Sequence, residues 1–212
     1  AAPAVAAAGQ PAARPAPTFT PKLLGFDPKS IPGLSEKLIV SHHDNNYAGA
    51  VKNLAKVRQE IAATNKDTPA FVVAGLREKE LAFYGSLVLH ELYFGNLGGD
   101  GKPAGSIAKA LPNDRQERLH ETAAGLGGGS GWAMLCYGLH TGELVVVSST
   151  SHTQNLAAGL PLLVLDMYEH AYAMDYGAAA AKYIDAFFQN VAWEEVDKRY
   201  QRALKARGVL TT

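Results

Sequence analysis

Residues 164–172 read VLDMYEHAY, an apolar run that ends on Asp166 and sets His170 four positions later. The run behind it, LPLLVLDM at 160–167, has the length of a buried strand, and the residues after Asp166 read as the start of a helix. Pairs of the form Asp-x-x-x-His occur by chance on surface helices. A carboxylate at such a junction can also serve simply as an N-cap that accepts amide hydrogen bonds. What the pair does is decided by the residues that meet it from elsewhere in the chain.

Two further β-like runs precede it, WAMLCYGL at 132–139 and ELVVVSST at 143–150, joined by a turn that begins HTG. Ahead of them stands the glycine-rich GLGGGSGW at 125–132, and before that a helical piece over 106–124. The chain after Asp166 reads as helices near 168–175, 179–189 and 193–206. On the N-terminal side GGDGKPAG at 98–105 breaks any regular structure and marks the best domain boundary. Two long helical stretches lie before it. In the first, Leu38, Val51, Leu54, Val57 and Ile61 form one apolar face, with Ser35 as the expected N-cap. The second is expected from about Glu78 to Phe94.

The 212 residues suffice for one domain or two small ones with a core, and 47% hydrophobic with 19% charged is a globular composition. Twenty basic and twenty acidic residues cancel, which argues against a nucleic-acid partner bound through a broad basic surface. Cys136 is the only cysteine, so there is no intrachain disulfide and no cysteine-based zinc cluster. No apolar stretch reaches about 18 residues, so no membrane-spanning segment is expected. Residues 1–20 are rich in alanine and proline and are expected to form a flexible tail, followed by a helical hairpin domain over 21–100 and an α/β domain over 101–212. The tail and the Ala at position 1 suit an exported, periplasmic or secreted protein. A trimmed chain looks the same, which leaves the cytoplasm open.

His90 lies among Leu87, Leu89, Leu92 and Phe94, and His42 begins HHDNNY on the first helix. With Asp166 and His170 they make three imidazoles and one carboxylate, a set that suits redox-active iron or manganese and is also open to zinc. Taken singly, each has an ordinary structural reading: a hydrogen-bonded buried histidine, or a helix cap. Spacing alone leaves both readings standing.

From about Gly33 to Tyr200 the sequence resembles the iron/manganese superoxide dismutases. DMYEHAY is similar to that family's Asp-x-Trp-Glu-His-Ala-Tyr signature, HELYF to its His-x-x-Phe-Trp segment, and GGGSGWAML to its Gly-Ser-Gly-Trp-Ala stretch. AAKYIDAFFQNVAWEEVDKRY resembles its C-terminal helices, and SEKLIVSHHDNN its first-helix His-His segment. The resemblance implies an α+β fold: a long N-terminal helical hairpin packed on an α/β domain with a three-stranded antiparallel sheet. It implies one iron or manganese ion per subunit, held by His42, His90, Asp166 and His170, and superoxide as substrate. It implies a homodimer in which Glu169 pairs with His170 of the other site. His152, in SSTSHTQ, corresponds to the glutamine that hydrogen-bonds the metal's solvent in many members, and the signature's Trp is Tyr168; both are carried as catalytic positions.

The departures fall around the entrance. Ser86, one turn before His90, is Gln in many iron members and Gly in many manganese ones. In ungapped register the family's gateway His and Tyr become Asn46 and Ala50, with Tyr47 between them; a gapped register would use His43 and Tyr47 but put Ile39 at a ligand position. Where the family has paired arginines this chain reads AAAAKY, leaving Lys182, and loss of steering slows anion capture by roughly 10- to 10³-fold. Two readings follow. One is a dismutase converting superoxide to dioxygen and hydrogen peroxide. The alternative is a metal-holding protein of the same fold with weak or no dismutase activity and a binding role.

Overall fold

A computed structural model describes residues 19–112 and 114–210. The expected tail therefore lies outside the described residues except for positions 19 and 20, where the Phe19 ring lies 4.9 Å from the Arg58 guanidinium.

The first helix begins where the capping residue says it should. The Ser35 hydroxyl accepts the Leu38 N–H at 3.1 Å and opens α1, Glu36–Ser41. Ser35 is itself gripped by Asp175, whose two carboxylate oxygens each lie 2.7 Å from its N–H or hydroxyl. The chain continues through a π-helical turn, His42–Tyr47, into α2, Ala48–Ala63. α3, Ala70–Phe94, returns against α2 and completes the hairpin.

That second helix starts eight residues before the expected Glu78, and the reason is local. Pro69 is extended, and its carbonyl accepts the N–H groups of Val72 and Val73 at 3.0 and 3.2 Å. The first turn is thus closed without an N-cap side chain. Phe71 and Val72 point to solvent, so the apolar pattern gives no helical phase there.

The expected helix over 106–124 is two pieces, α4 (Gly105–Ala110) and α5 (Arg115–Gly125), separated at Pro112, which cannot continue the hydrogen-bond ladder. Three strands follow, β1 (Trp132–Gly138), β2 (Leu144–Ser149) and β3 (Gly159–Asp166), in one antiparallel sheet of order β2-β1-β3. β1 is central and buried throughout, which accounts for its unbroken apolar run. The register sets Trp132 opposite Asp166 on one side and opposite Ser149 on the other, so the signature aspartate ends its strand beside the tryptophan.

Where a helix over 168–175 was expected, the chain makes a 3-10 turn, Glu169–Ala171, and one turn of helix, α6, Ala173–Tyr176. Tyr172, at φ −147°, divides them. α7 (Ala180–Gln189) and α8 (Trp193–Leu210) close the fold. Both layers share one core, in which Leu38, Leu54 and Tyr93 of the hairpin join Trp132, Leu163, Tyr183 and Phe187 of the α/β part. Leu54 is fully buried, and Leu54→Ala there removes about 2–5 kcal/mol of stability. Among the described residues no helix is long and apolar enough to cross a membrane.

Candidate metal centre

Each candidate ligand reaches the centre from a different element. In the π turn, one residue more per turn puts the inward positions five apart, so His42 and Tyr47 are both buried while His43 is half-buried and Asp44 exposed. His90 comes from the deep end of α3. Asp166 is the last residue of β3, and His170 lies one turn onward in the 3-10 segment.

The four side chains meet at one point. Asp166 Oδ2 lies 3.1 Å from His42 Nε2, 3.2 Å from His170 Nε2 and 3.5 Å from His90 Nε2. One donor atom from each residue lies within 4.8 Å of all the others. The remaining oxygen of Asp166, Oδ1, accepts the Tyr168 N–H at 2.9 Å, and the Tyr183 hydroxyl donates to the Asp166 carbonyl at 2.7 Å. The carboxylate is therefore fixed from both ends.

Electrostatics prepare the donors. Burial lowers the pKa of His42, only partly offset by its bond to Asp166, and burial takes His90 down to about 3. Burial alone would raise Asp166, but hydrogen bonds from His170 and His42 outweigh it and hold the carboxyl below its usual range. His42 and His90 held neutral beside an ionised carboxylate are in the forms that ligate a metal.

His90 supplies the test of fit. Its Nδ1 lies 2.7 Å from the Ser86 carbonyl, which can only accept, so the ring proton sits on Nδ1. Nε2 is then a bare lone pair, buried, with no hydrogen-bond partner. An unsatisfied buried acceptor costs about 1–3 kcal/mol, and here it is aimed at two other imidazoles and a carboxylate. A divalent or trivalent cation satisfies all four donors at once. The residues fit iron or manganese.

A pocket of about 280 Å³ leads to this cluster, reaching His90 and His170 and lined further out by Asn46, Ala50, Asn53, Ser86 and His152. Trp132 Nε1–H donates to His152 Nδ1 at 3.0 Å, which leaves the proton of the neutral ring on Nε2. Burial lowers the His152 pKa and favours that neutral form. Gly85 lets the His152 loop close on α3: a Cβ there would stand 2.0 Å from the His152 carbonyl oxygen. Tyr168 is stacked between His152 and His170, at ring distances of 4.8 and 5.4 Å.

At the entrance, His42 stands in the cluster while Ile39 is buried in the apolar core. Asn46 and Ala50 line the pocket, as the ungapped register has them. Despite the bulge, Tyr47 does not. Its hydroxyl donates to Glu91 at 2.9 Å and accepts the Lys22 N–H at 2.8 Å, in a separate cavity. No lysine or arginine among the described residues lines the pocket, and Lys182 is an exposed residue on α7 outside it. Glu169 is exposed, and its carboxylate has no hydrogen-bond or ion-pair partner among the described residues.

Trp132 and Tyr183 position the site but were not singled out from sequence. Trp132 could have been found from its place directly after the glycine-rich turn, opposite the strand that ends at Asp166. Tyr183 carries no such signal.

Residues 112–199 match the family model described as iron/manganese superoxide dismutases, C-terminal domain. The chain is 44% identical to a superoxide dismutase [Fe] of Cupriavidus metallidurans over 191 residues, 87% of this chain and 97% of that protein. It is 34% identical to a superoxide dismutase [Fe] of Aquifex pyrophilus, covering 84% of this chain and 90% of that one. To a superoxide dismutase [Mn] of Mycobacterium avium it is 36% identical, over 84% and 91% of the two chains.

Proposed function

The chain belongs to the iron/manganese superoxide dismutase family, and from that premise we infer which of its own residues carry the reaction. It is an oxidoreductase that converts two superoxide anions and two protons to dioxygen and hydrogen peroxide, with one iron or manganese ion as cofactor. The bound ion supplies the one-electron chemistry by alternating between two oxidation states. The alternative of a binding protein on the same fold is not favoured, since relatives matched over nearly the whole chain are named dismutases.

His42, His90, Asp166 and His170 are the ligands in this reading. One observation carries it: three imidazole nitrogens converge on one carboxylate oxygen, and the His90 nitrogen is bare and buried. Asp166 contributes the negative charge. Ser86 and Tyr183 hold His90 and Asp166 in place. His152 keeps a proton on Nε2 at the pocket wall, where reduced oxygen must acquire protons, while Tyr168 packs between it and His170 and excludes water from that side. The pocket admits a diatomic anion, but among the described residues no lysine or arginine lines it to draw the anion in, so slow capture is expected.

The active form in this reading is a homodimer. His170 turns Nε2 to Asp166, so its Nδ1 is left for a second partner, and a metal-binding histidine ordinarily gives that proton to a carboxylate. No carboxylate of the same chain takes it among the described residues, whereas the Glu169 carboxylate beside it is exposed and unpaired among them. A two-fold axis that exchanges Glu169 for Glu169 satisfies both sites.

The deciding experiment assays one purified sample for bound iron and manganese and for superoxide removal per metal. Near-stoichiometric metal with metal-dependent dismutation is expected. Stoichiometric metal without dismutation would return the protein to the binding reading, and absence of either metal would overturn the ligand set.

A further inference from the structure

α3 has a second working face. Val88, Glu91, Leu92 and Gly95 follow at spacings of three and four and so share one side of the helix, apart from Ser86 and His90. Together with the segment from Lys22 to Gly25 and with Arg199 of α8, they line a separate cavity of about 300 Å³.

Arg199 is a half-buried cation with no carboxylate bonded to it among the described residues; the Glu195 charge acts on it only at a distance. Its Nη1 donates to the Leu162 carbonyl at 2.9 Å and to the Asn96 side chain, and nothing among the described residues bonds to its Nε or Nη2. Glycine at 95 keeps that edge clear, because a Cβ there would fall 2.5 Å from Nη2. Burial lowers the guanidinium pKa to about 10, so it stays charged near neutrality. Glu91, which also lines the cavity, is already engaged by the Lys22 ammonium and the Tyr47 hydroxyl. The edge formed by Nε and Nη2 is not among the sealed, unpartnered buried groups and is open to a carboxylate that reaches it through the cavity. Leu24, Val88, Leu92 and Phe94 give the cavity an apolar lining.

We propose that this cavity binds a small organic monocarboxylate, its two oxygens on Arg199 Nε and Nη2 and its short apolar tail against Val88, Leu92 and Phe94. The paired, planar geometry is the one a guanidinium offers a carboxylate. A ligand of this size uses few atoms, so affinity on the order of millimolar is expected. The site is separate from the metal pocket and does not depend on the dismutase reading.

Metal-loaded protein is titrated with sodium butyrate by calorimetry, with butyramide and inorganic phosphate as comparisons. Saturable one-site butyrate binding is expected, with butyramide weaker by about tenfold or more for want of the charge-assisted pair. Arg199→Gln and Val88→Phe should each weaken butyrate by a similar factor. Val88→Phe fills the cavity from α3 and leaves the Arg199 bonds to Asn96 and Leu162 in place, so it decides the matter if Arg199→Gln does not fold. Failure of butyrate to bind, tighter binding of phosphate, or butyrate binding undiminished in Val88→Phe overturns the proposal; the last would put the anion at the metal instead.

Discussion

His90 Nδ1 lies 2.7 Å from the carbonyl oxygen of Ser86, one turn earlier on the same helix. A backbone oxygen is thereby used to set a tautomer. The proton is committed to Nδ1, and Nε2 faces the cluster bare. His90→Ala should therefore lose metal by more than the roughly 10- to 100-fold that removal of an outer partner costs. Metal content by mass spectrometry after dialysis checks this. Retention of one ion per chain in His90→Ala would remove His90 from the ligand set.

Loading the site should also stabilise the fold, because the ion binds the native arrangement and not the open chain. At free metal about a thousandfold above its dissociation constant the gain is about 4 kcal/mol. For a chain of this size that is a rise in Tm of about 8–16 °C. Calorimetry of chelated and reconstituted protein reads it directly, and equal melting temperatures would contradict a site built from four separate elements.

Much of this arrangement was legible before the fold was known, for physical reasons. Asp166 ends an apolar run and His170 follows at one turn's spacing, so that pair could be placed at a strand end from pattern alone. Ser35 announced the first helix because a cap is a local hydrogen bond. The π turn at His42–Tyr47 was not legible: it is a phase slip of one residue inside a polar stretch, where no apolar stripe records the phase. The start of α3 was missed because Phe71 and Val72 face solvent. That His42 and His90 meet Asp166 is a tertiary fact, suggested by family resemblance rather than by spacing. Arg199 reads in sequence as an ordinary surface cation of an amphipathic helix, and only its burial distinguishes it.

Gly85→Ala tests the loop that carries His152. The added methyl would stand 2.0 Å from the His152 carbonyl oxygen, so the loop has to move away from α3 and take the Nε2 proton with it. Turnover should fall by about 100-fold, the lower range for losing a positioned proton donor, with metal content unchanged. Unchanged turnover would make His152 a bystander.

Glu169→Ala tests the dimer. If Glu169 takes the Nδ1 proton of His170 across a two-fold axis, removing it leaves that proton unpaired in both sites. Light scattering should show dissociation at micromolar concentration, and metal affinity should drop by roughly 10- to 100-fold. A stable dimer with unaltered metal affinity would refute the pairing.

Asn53 is exposed at the pocket mouth, where the lining carries no lysine or arginine among the described residues. Asn53→Lys should raise kcat/KM by about tenfold at low salt. The gain should vanish as the Debye length contracts to about 3 Å near 1 M salt. A salt-independent gain would mean that the lysine acts on something other than capture.

Ala50→Tyr addresses the chemistry rather than the approach. Ala50 is 5% exposed, lines the pocket beside Asn46 and presents only a methyl where a proton donor could stand. A tyrosine there has the pocket's 280 Å³ to occupy and brings a hydroxyl toward the His152 side of the cluster. If proton supply limits the cycle, kcat should rise by about 100-fold, visible in pulse radiolysis at saturating superoxide. The pocket would narrow at the same time, so kcat/KM should change less than kcat. A variant that folds and holds metal but gains nothing in kcat would show that His152 and solvent already deliver protons fast enough, and that the open, neutral entrance is the step that sets the rate.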